Sequence, residues 1–181
     1  MSILWCRSWQ DDRVFDFDIA RYQPQWLNGR DAVTRQHGRR LGALRGRTLT
    51  RVWMAWDLKD DEWFCDCPVL LDFEGEQVEI NHYKFDDIAL TWATIDPHRP
   101  VRWPGFDLAW RPEPLAELRA LRGRTLQSVE LLEWTGDDVA QGSVDVSFVF
   151  HIGRVTVFNA LDENGLNFTP PAPQQRSHAL H

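Results

Sequence analysis

Leu44-Arg45-Gly46-Arg47-Thr48-Leu49 recurs letter for letter as Leu121-Arg122-Gly123-Arg124-Thr125-Leu126, an offset of 77 (121 minus 44). The same offset pairs Leu41 with Leu118, Ala43 with Ala120, Val52 with Val129, Phe73 with Phe150 and Val78 with Val155, with no gap until after Val78. Acids recur too, since Asp60 and Asp61 meet Asp137 and Asp138. Residues 41–90 and 118–167 therefore read as two copies of one unit.

Each copy has a local physical reading. Pro112, Glu113 and Pro114 precede Leu115, Leu118 and Leu121, which are spaced for one helical face, with proline and acid where a helix begins. Gly123 supplies the stop, because glycine takes the left-handed conformation that closes the last carbonyls, and Arg122 and Arg124 put positive charge at the negative helix end. Identical residues around Gly46 imply the same ending for a helix that begins near Asp31. Residues 48–56 and 125–134, rich in β-branched, aromatic and aliphatic side chains, suit a strand leaving that turn. Val69, Leu71 and Phe73 alternate as Val146, Phe148 and Phe150 do, so both copies bury the same strand face. Gly75 and Gly153 then mark hairpins, one position out of step, and residues 88–95 offer a fourth strand with a short counterpart at 166–168. The expected fold class is α+β: two tandem copies of a helix followed by an antiparallel β-meander, packed as one pseudo-symmetric body.

The rest of the chain divides around these units. Residues 1–30, where Trp5, Trp9, Phe15 and Phe17 alternate with charges, are expected to add an N-terminal edge strand or hairpin. The first α+β repeat spans 31–95, a proline/tryptophan connector 96–112 and the second repeat 113–168, while Pro170, Pro171 and Pro173 make 169–181 a disordered tail.

Twenty-seven acidic against twenty basic residues give a net charge of -7, which opposes direct binding to nucleic acid or anionic membrane and favours a basic partner. Arg7, Asp11, Asp12 and Arg13 break the early apolar residues, and no run approaches membrane-spanning length, so a cytoplasmic protein is expected. Of the three cysteines, Cys65 and Cys67 are too close for an ordinary structural disulfide, which favours reduced thiols.

Asp57, Asp60, Asp61 and Glu62 crowd together, but without a diagnostic metal-binding spacing, so a solvated loop or a surface for a basic partner is the better reading. Cys65, Cys67 and His82 have zinc-type donor atoms, yet one C-x-C pair and one distant histidine lack the paired ligand blocks of structural zinc sites. An acid–base pair of His82 and Asp86 is conceivable, although His82 has no counterpart in the second copy. No nucleophile elbow, phosphate-cradling glycine loop or dinucleotide fingerprint occurs, so no catalytic residue, metal or cofactor is expected. Arg45 and Arg47 recur as Arg122 and Arg124, which assigns them to helix ends and local ion pairs rather than to phosphate binding.

Trp53, Trp56, Trp63 and Phe64 flank the acidic loop, while their counterparts are Glu130, Glu133, Ala140 and Gln141. The shared scaffold does not require these rings, which leaves them either to an interface or to the seam between the units.

The stretch Asp60-Asp61-Glu62-Trp63-Phe64-Cys65-Asp66-Cys67-Pro68-Val69-Leu70-Leu71-Asp72-Phe73, followed by Val78-Glu79-Ile80-Asn81, resembles bacterial proteins, some of which are found as immunity partners of polymorphic toxins. In size and acidity the chain is similar to the immunity proteins of contact-dependent growth inhibition systems. That resemblance implies a toxin inhibitor that binds its cognate toxin domain and catalyses nothing. A basic nuclease is the toxin that suits the acidic charge, with Asp57, Asp60, Asp61, Glu62, Trp63, Asp86 and Asp87 as expected contacts. The competing expectations are a metal-dependent hydrolase built on the carboxylates of the first repeat and a regulatory module that binds a ligand or another protein.

Overall fold

The computed structural model describes residues 16–181, so most of the expected N-terminal strand or hairpin lies outside the described residues. Strand β1 (Trp26–Asn28) leads into α1 (Arg30–Val33), a π-helical segment (Thr34–Gly38) and α2 (Arg39–Gly42). Then come β2 (Leu49–Asp57), β3 (Glu62–Trp63), β4 (Val69–Phe73), β5 (Glu76–Tyr83), β6 (Asp87–Trp92) and β7 (Leu108–Pro112). The second half holds α3 (Ala116–Leu121), β8 (Leu126–Trp134), β9 (Val144–Phe150), β10 (Gly153–Asn159), β11 (Asn164–Asn167) and β12 (Gln175–Leu180).

Strand accounts for 44% of the described residues and helix for 11%, so the fold is sheet-rich, with less helix than the expected α+β pattern implies. The shortfall has local causes. Pro112 and Pro114 delay the start of α3, and Gly123 follows its last turn closely.

One antiparallel sheet runs β1-β6-β5-β4-β2-β3, with β7 on the remaining edge of β2; the other runs β11-β10-β9-β8-β12. Leu49 faces Phe73 and Val52 faces Leu71 across β2 and β4, while Leu126 faces Phe150 and Val129 faces Phe148 across β8 and β9. Both pairings slip at the same place, between Leu49 and Arg51 and between Leu126 and Ser128. Val69 meets Ile80 just as Val146 meets Val157, so the out-of-step glycines change the hairpin turn without changing the register.

Two segments correct the sequence expectation. Residues 169–181 are not a disordered tail, because Gln175–Leu180 pairs along β8 as β12. The connector contributes β7, which pairs with β2 from Trp53 to Asp57. Each strand satisfies the second edge of a long central strand, and Pro112 is tolerated because it closes an edge strand.

The repeated hexapeptides meet each other. Thr48 bridges Thr125; the Gly46 N–H donates to Leu126 O at 2.9 Å and the Gly123 N–H to Leu49 O at 2.8 Å. Leu49 N–H donates to Arg124 O and Leu126 N–H to Arg47 O, at 3.0 and 2.8 Å, so every bond is reciprocated at the same offset. Gly46 (φ 84°) and Gly123 (φ 76°) do adopt the left-handed conformation, but their N–H groups hold the opposite hexapeptide and not their own helix ends.

A single core lies between the sheets. Val52, Leu71 and Ile80 of the first meet Val129, Phe148 and Val157 of the second, the Phe73 and Phe148 rings stack at 5.3 Å, and Val33, Leu41 and Leu118 join from the helices. Burying each such side chain contributes roughly 1.5–3 kcal/mol. The outer face of the first sheet has its own cover, in which Phe17, Tyr22, Ile95, Val101 and Trp110 pack on Ala55 and Leu70. Buried Glu79 fastens that cover: its carboxylate accepts from Gln77 Nε2, Thr91 Oγ1, Thr94 Oγ1 and the N–H groups of Thr94 and Ile95.

Candidate functional site

The acidic stretch noted in the sequence is a turn at one end of the first sheet. Strand β2 stops at Asp57, whose Oδ1 accepts the Lys59 N–H at 3.0 Å and so starts the reversal. Asp57 is therefore a turn-former, 2% exposed, and this corrects its expected role as a contact residue. Asp61 takes a left-handed φ of 54°, which short polar side chains tolerate. Its Oδ1 accepts from Trp56 Nε1 at 3.0 Å and from Arg111 Nη1 at 2.8 Å, and the Arg111 guanidinium lies 4.8 Å from the Trp56 ring centre. These two donors and the arginine charge hold the Asp61 carboxyl below its ordinary range. Asp60 and Glu62 stand exposed beside it.

The neighbouring rings face inward. Trp63 is half-buried against the shared core, with its indole N–H enclosed. Phe64 is buried against Phe106 at 4.7 Å, and Trp53 lies edge-on to His98 at 5.5 Å. Sequence reasoning left these rings open between an interface and the seam; their packing favours structural cover.

Asp86, in the turn between β5 and β6, and Asp87, which opens β6, lie at the same end of the sheet, and β6 is three strand positions from β2, about 14 Å away. Both are half-buried, and Asp86 Oδ2 accepts Asn28 Nδ2 at 2.5 Å. A third turn, between β10 and β11 of the other sheet, reaches the same end. Asn159 Nδ2 donates to Lys84 O at 2.6 Å, while Asn164 donates to the carbonyls of Cys65 and Cys67 and to Asn81 Oδ1. This third turn brings Asp162 and Glu163 beside Asp66. The Asp66 carboxyl, although on the surface, is pushed up first by desolvation among the turns and then by the Glu163 and Asp162 carboxylates.

Each turn also carries an exposed apolar tip, which the sequence reading did not single out: Leu58 is 45% exposed, Phe85 47% and Leu161 70%. Large apolar residues between acids are an interface signal once exposure is known. Exposure itself depends on the fold.

The alternative chemistries find little support in the geometry. His82 is buried, with Nδ1 3.2 Å from Asn164 Oδ1 and Nε2 3.4 Å from Val144 O. Burial lowers it to about 4, against the two acceptors that favour its charged form. It bridges the two sheets as a neutral ring whose hydrogen-bond partners are Asn164 and Val144, not Asp86. Burial, then the Glu163 carboxylate, pushes the Cys65 thiol up to about 12, and its Sγ lies 3.4 Å from Glu163 Oε2. Cys67 is buried, and burial raises its thiol too. Neither cysteine is a thiolate nucleophile near neutral pH. Among the described residues, no three His, Cys, Asp or Glu side chains group closely enough to hold a metal ion, and no helix is long and apolar enough to cross a membrane. No protein family, curated protein or solved structure compared with the chain matches it.

Proposed function

We propose that the protein is a non-catalytic inhibitor of the immunity type, which binds a basic toxin domain, in particular a nuclease, through the acidic end where the three turns meet. The observation that carries this reading is the pairing on each turn of an exposed apolar tip with a carboxylate: Leu58 with Asp60 and Glu62, Phe85 with Asp86, and Leu161 with Asp162. Apolar tips supply desolvated anchors, and acids around them attract a surface shaped to hold phosphates. Burial is the main cause of the upward push on Asp66, and the Glu163 and Asp162 carboxylates add to it a repulsion that a cationic partner relieves.

The scaffold is best understood as a duplication of one helix-and-meander unit. Reciprocal bonds between the hexapeptides, a shared slip in register and the equivalent returns of β7 and β12 support that reading. A rigid common core holds the three turns in fixed relation.

The test is association kinetics with the proposed cognate toxin domain, a basic nuclease. Replacing both Asp60 and Glu62 by lysine leaves internal bonds intact and is expected to slow association at low salt at least fivefold and to flatten its salt dependence. An unchanged rate rejects the assignment.

A further inference from the structure

The outer faces of the two sheets are finished differently. In the first sheet Glu79 pins residues 94–95 over the face, and Phe17, Tyr22 and Val101 seal it. Thr156 occupies the place of Glu79 in the second sheet (156 minus 77), and the face beside it opens into a cleft of about 740 Å³. That volume suits a small organic ligand, for which clefts of roughly 300–1,000 Å³ are usual.

Both aromatic walls are fixed in place. The Trp134 indole donates to the Asp138 carboxylate at 2.9 and 3.0 Å, and it lies so close to Gly136 that a Cβ there would fall 2.5 Å from Nε1. Phe158 rests on Gly165, where a Cβ would fall 2.3 Å from the ring. Two glycines thus leave room for two lining rings. Val139, 74% exposed, and Leu161 extend the apolar wall.

The cleft also contains Asp145, which is 7% exposed. Among the described residues its carboxylate accepts only neutral donors, the Asn159 N–H at 3.3 Å and Gln175 Nε2 at 2.8 Å. Among the described residues no lysine or arginine lines the cleft, and Asp138 is the one other titratable group there, already bonded to Trp134 and to the Ala140 N–H. The scaffold does not call for an acid at this position, because the counterpart of Asp145 is Pro68 (145 minus 77). An enclosed carboxylate between aromatic walls and without a cation matches an ammonium group on an apolar body, by charge pairing and by attraction of the cation to the ring faces.

We infer that the cleft on the outer face of the second sheet binds a small organic cation, an aryl- or alkylammonium compound, with its charged nitrogen on Asp145 and its apolar body between Trp134 and Phe158. This site shares Leu161 with the surface proposed for partner binding, but it does not depend on that reading. Burial pushes the Asp145 carboxyl up to about 7, so its ionised fraction, and with it the affinity, rises roughly tenfold from pH 6 to pH 8 while an aliphatic ammonium stays charged.

The experiment titrates the full chain with 2-phenylethylammonium and, separately, with 3-phenylpropanoate, an anion of matching size, following the Trp134 indole N–H by NMR. Saturable shifts with the ammonium, none with the anion, the tenfold rise with pH, and at least tenfold weaker binding by Asp145→Asn are expected. Val139→Lys, at an exposed rim position, should weaken binding without touching the core. Absence of saturable binding, equal binding of the anion, or unchanged affinity in both variants overturns the inference.

Discussion

Replacing Asp145 by asparagine tests how the second sheet is held. Burial lifts the carboxyl to about 7 from an ordinary 3.8. The native state therefore favours the protonated form: stability from this group is full below about pH 4 and is lost as pH rises through 7. At about 1.4 kcal/mol per unit, the ionised carboxylate costs about 4 kcal/mol at pH 8. Asparagine avoids that cost, less about 1 kcal/mol for an amide N–H turned toward a donor. His82 acts in the opposite sense. Its value of about 4, against an ordinary 6.5, gives stability that is full above pH 6.5 and lost as pH falls through 4, about 3 kcal/mol in all. In the native sequence the two slopes nearly cancel between pH 4 and 7. Urea unfolding of both proteins at pH 4, 5.5, 7 and 8 should show Asp145→Asn equal to or slightly below wild type at pH 4 and more stable by about 3 kcal/mol at pH 8, where Tm rises on the order of 10 °C. Parallel pH profiles for the two proteins would refute the reasoning.

Gly46→Ala and Gly123→Ala should each lose about 1–2 kcal/mol in chemical denaturation, because the left-handed backbone and not space is limiting: no atom lies within 4 Å of either added Cβ. Losses below half a kcal/mol would contradict the need for that conformation. Asn164→Ala removes bonds to Cys65 O, Cys67 O and Asn81, so about 3 kcal/mol should be lost, with faster amide exchange at His82, whose N–H donates to Asn164 Oδ1. Unchanged exchange there would show that the seam holds without it. In a Cys6→Ser background, Cys65 should react with a disulfide reagent at pH 8 on the order of a thousandfold more slowly than an ordinary thiol, and a normal rate would contradict its burial against Glu163.

Much of the scaffold was legible because its signals are local and repeated. Alternation at Val69, Leu71 and Phe73 and again at Val146, Phe148 and Phe150 placed the same face inward in both sheets, and the shared register follows from it. The strands β7 and β12 were not legible. Residues 175–180 have little strand character of their own and pair only because β8 offers a second edge, a partner more than forty residues earlier in the chain. Gly46 and Gly123 were read correctly for conformation, yet their hydrogen-bond partners lie across the molecule. At the site, Asp60 and Glu62 emerged where a charged loop should be, whereas Asp57 turned inward to shape the turn. Leu58, Phe85 and Leu161 were passed over because apolar residues are usually covered, and the approach of the β10–β11 turn to Cys65 joins residues nearly a hundred positions apart.

The proposed binding of a cationic protein at the acidic end is tested most directly by hydrogen exchange of the chain alone and in complex with the proposed cognate toxin domain, a basic nuclease. Protection should appear at residues 58–62, 84–87 and 161–163 together, and it should fade as salt is raised. A complex that instead protects the edge of β12 or the cover over the first sheet, leaving those three turns unchanged, would contradict the account.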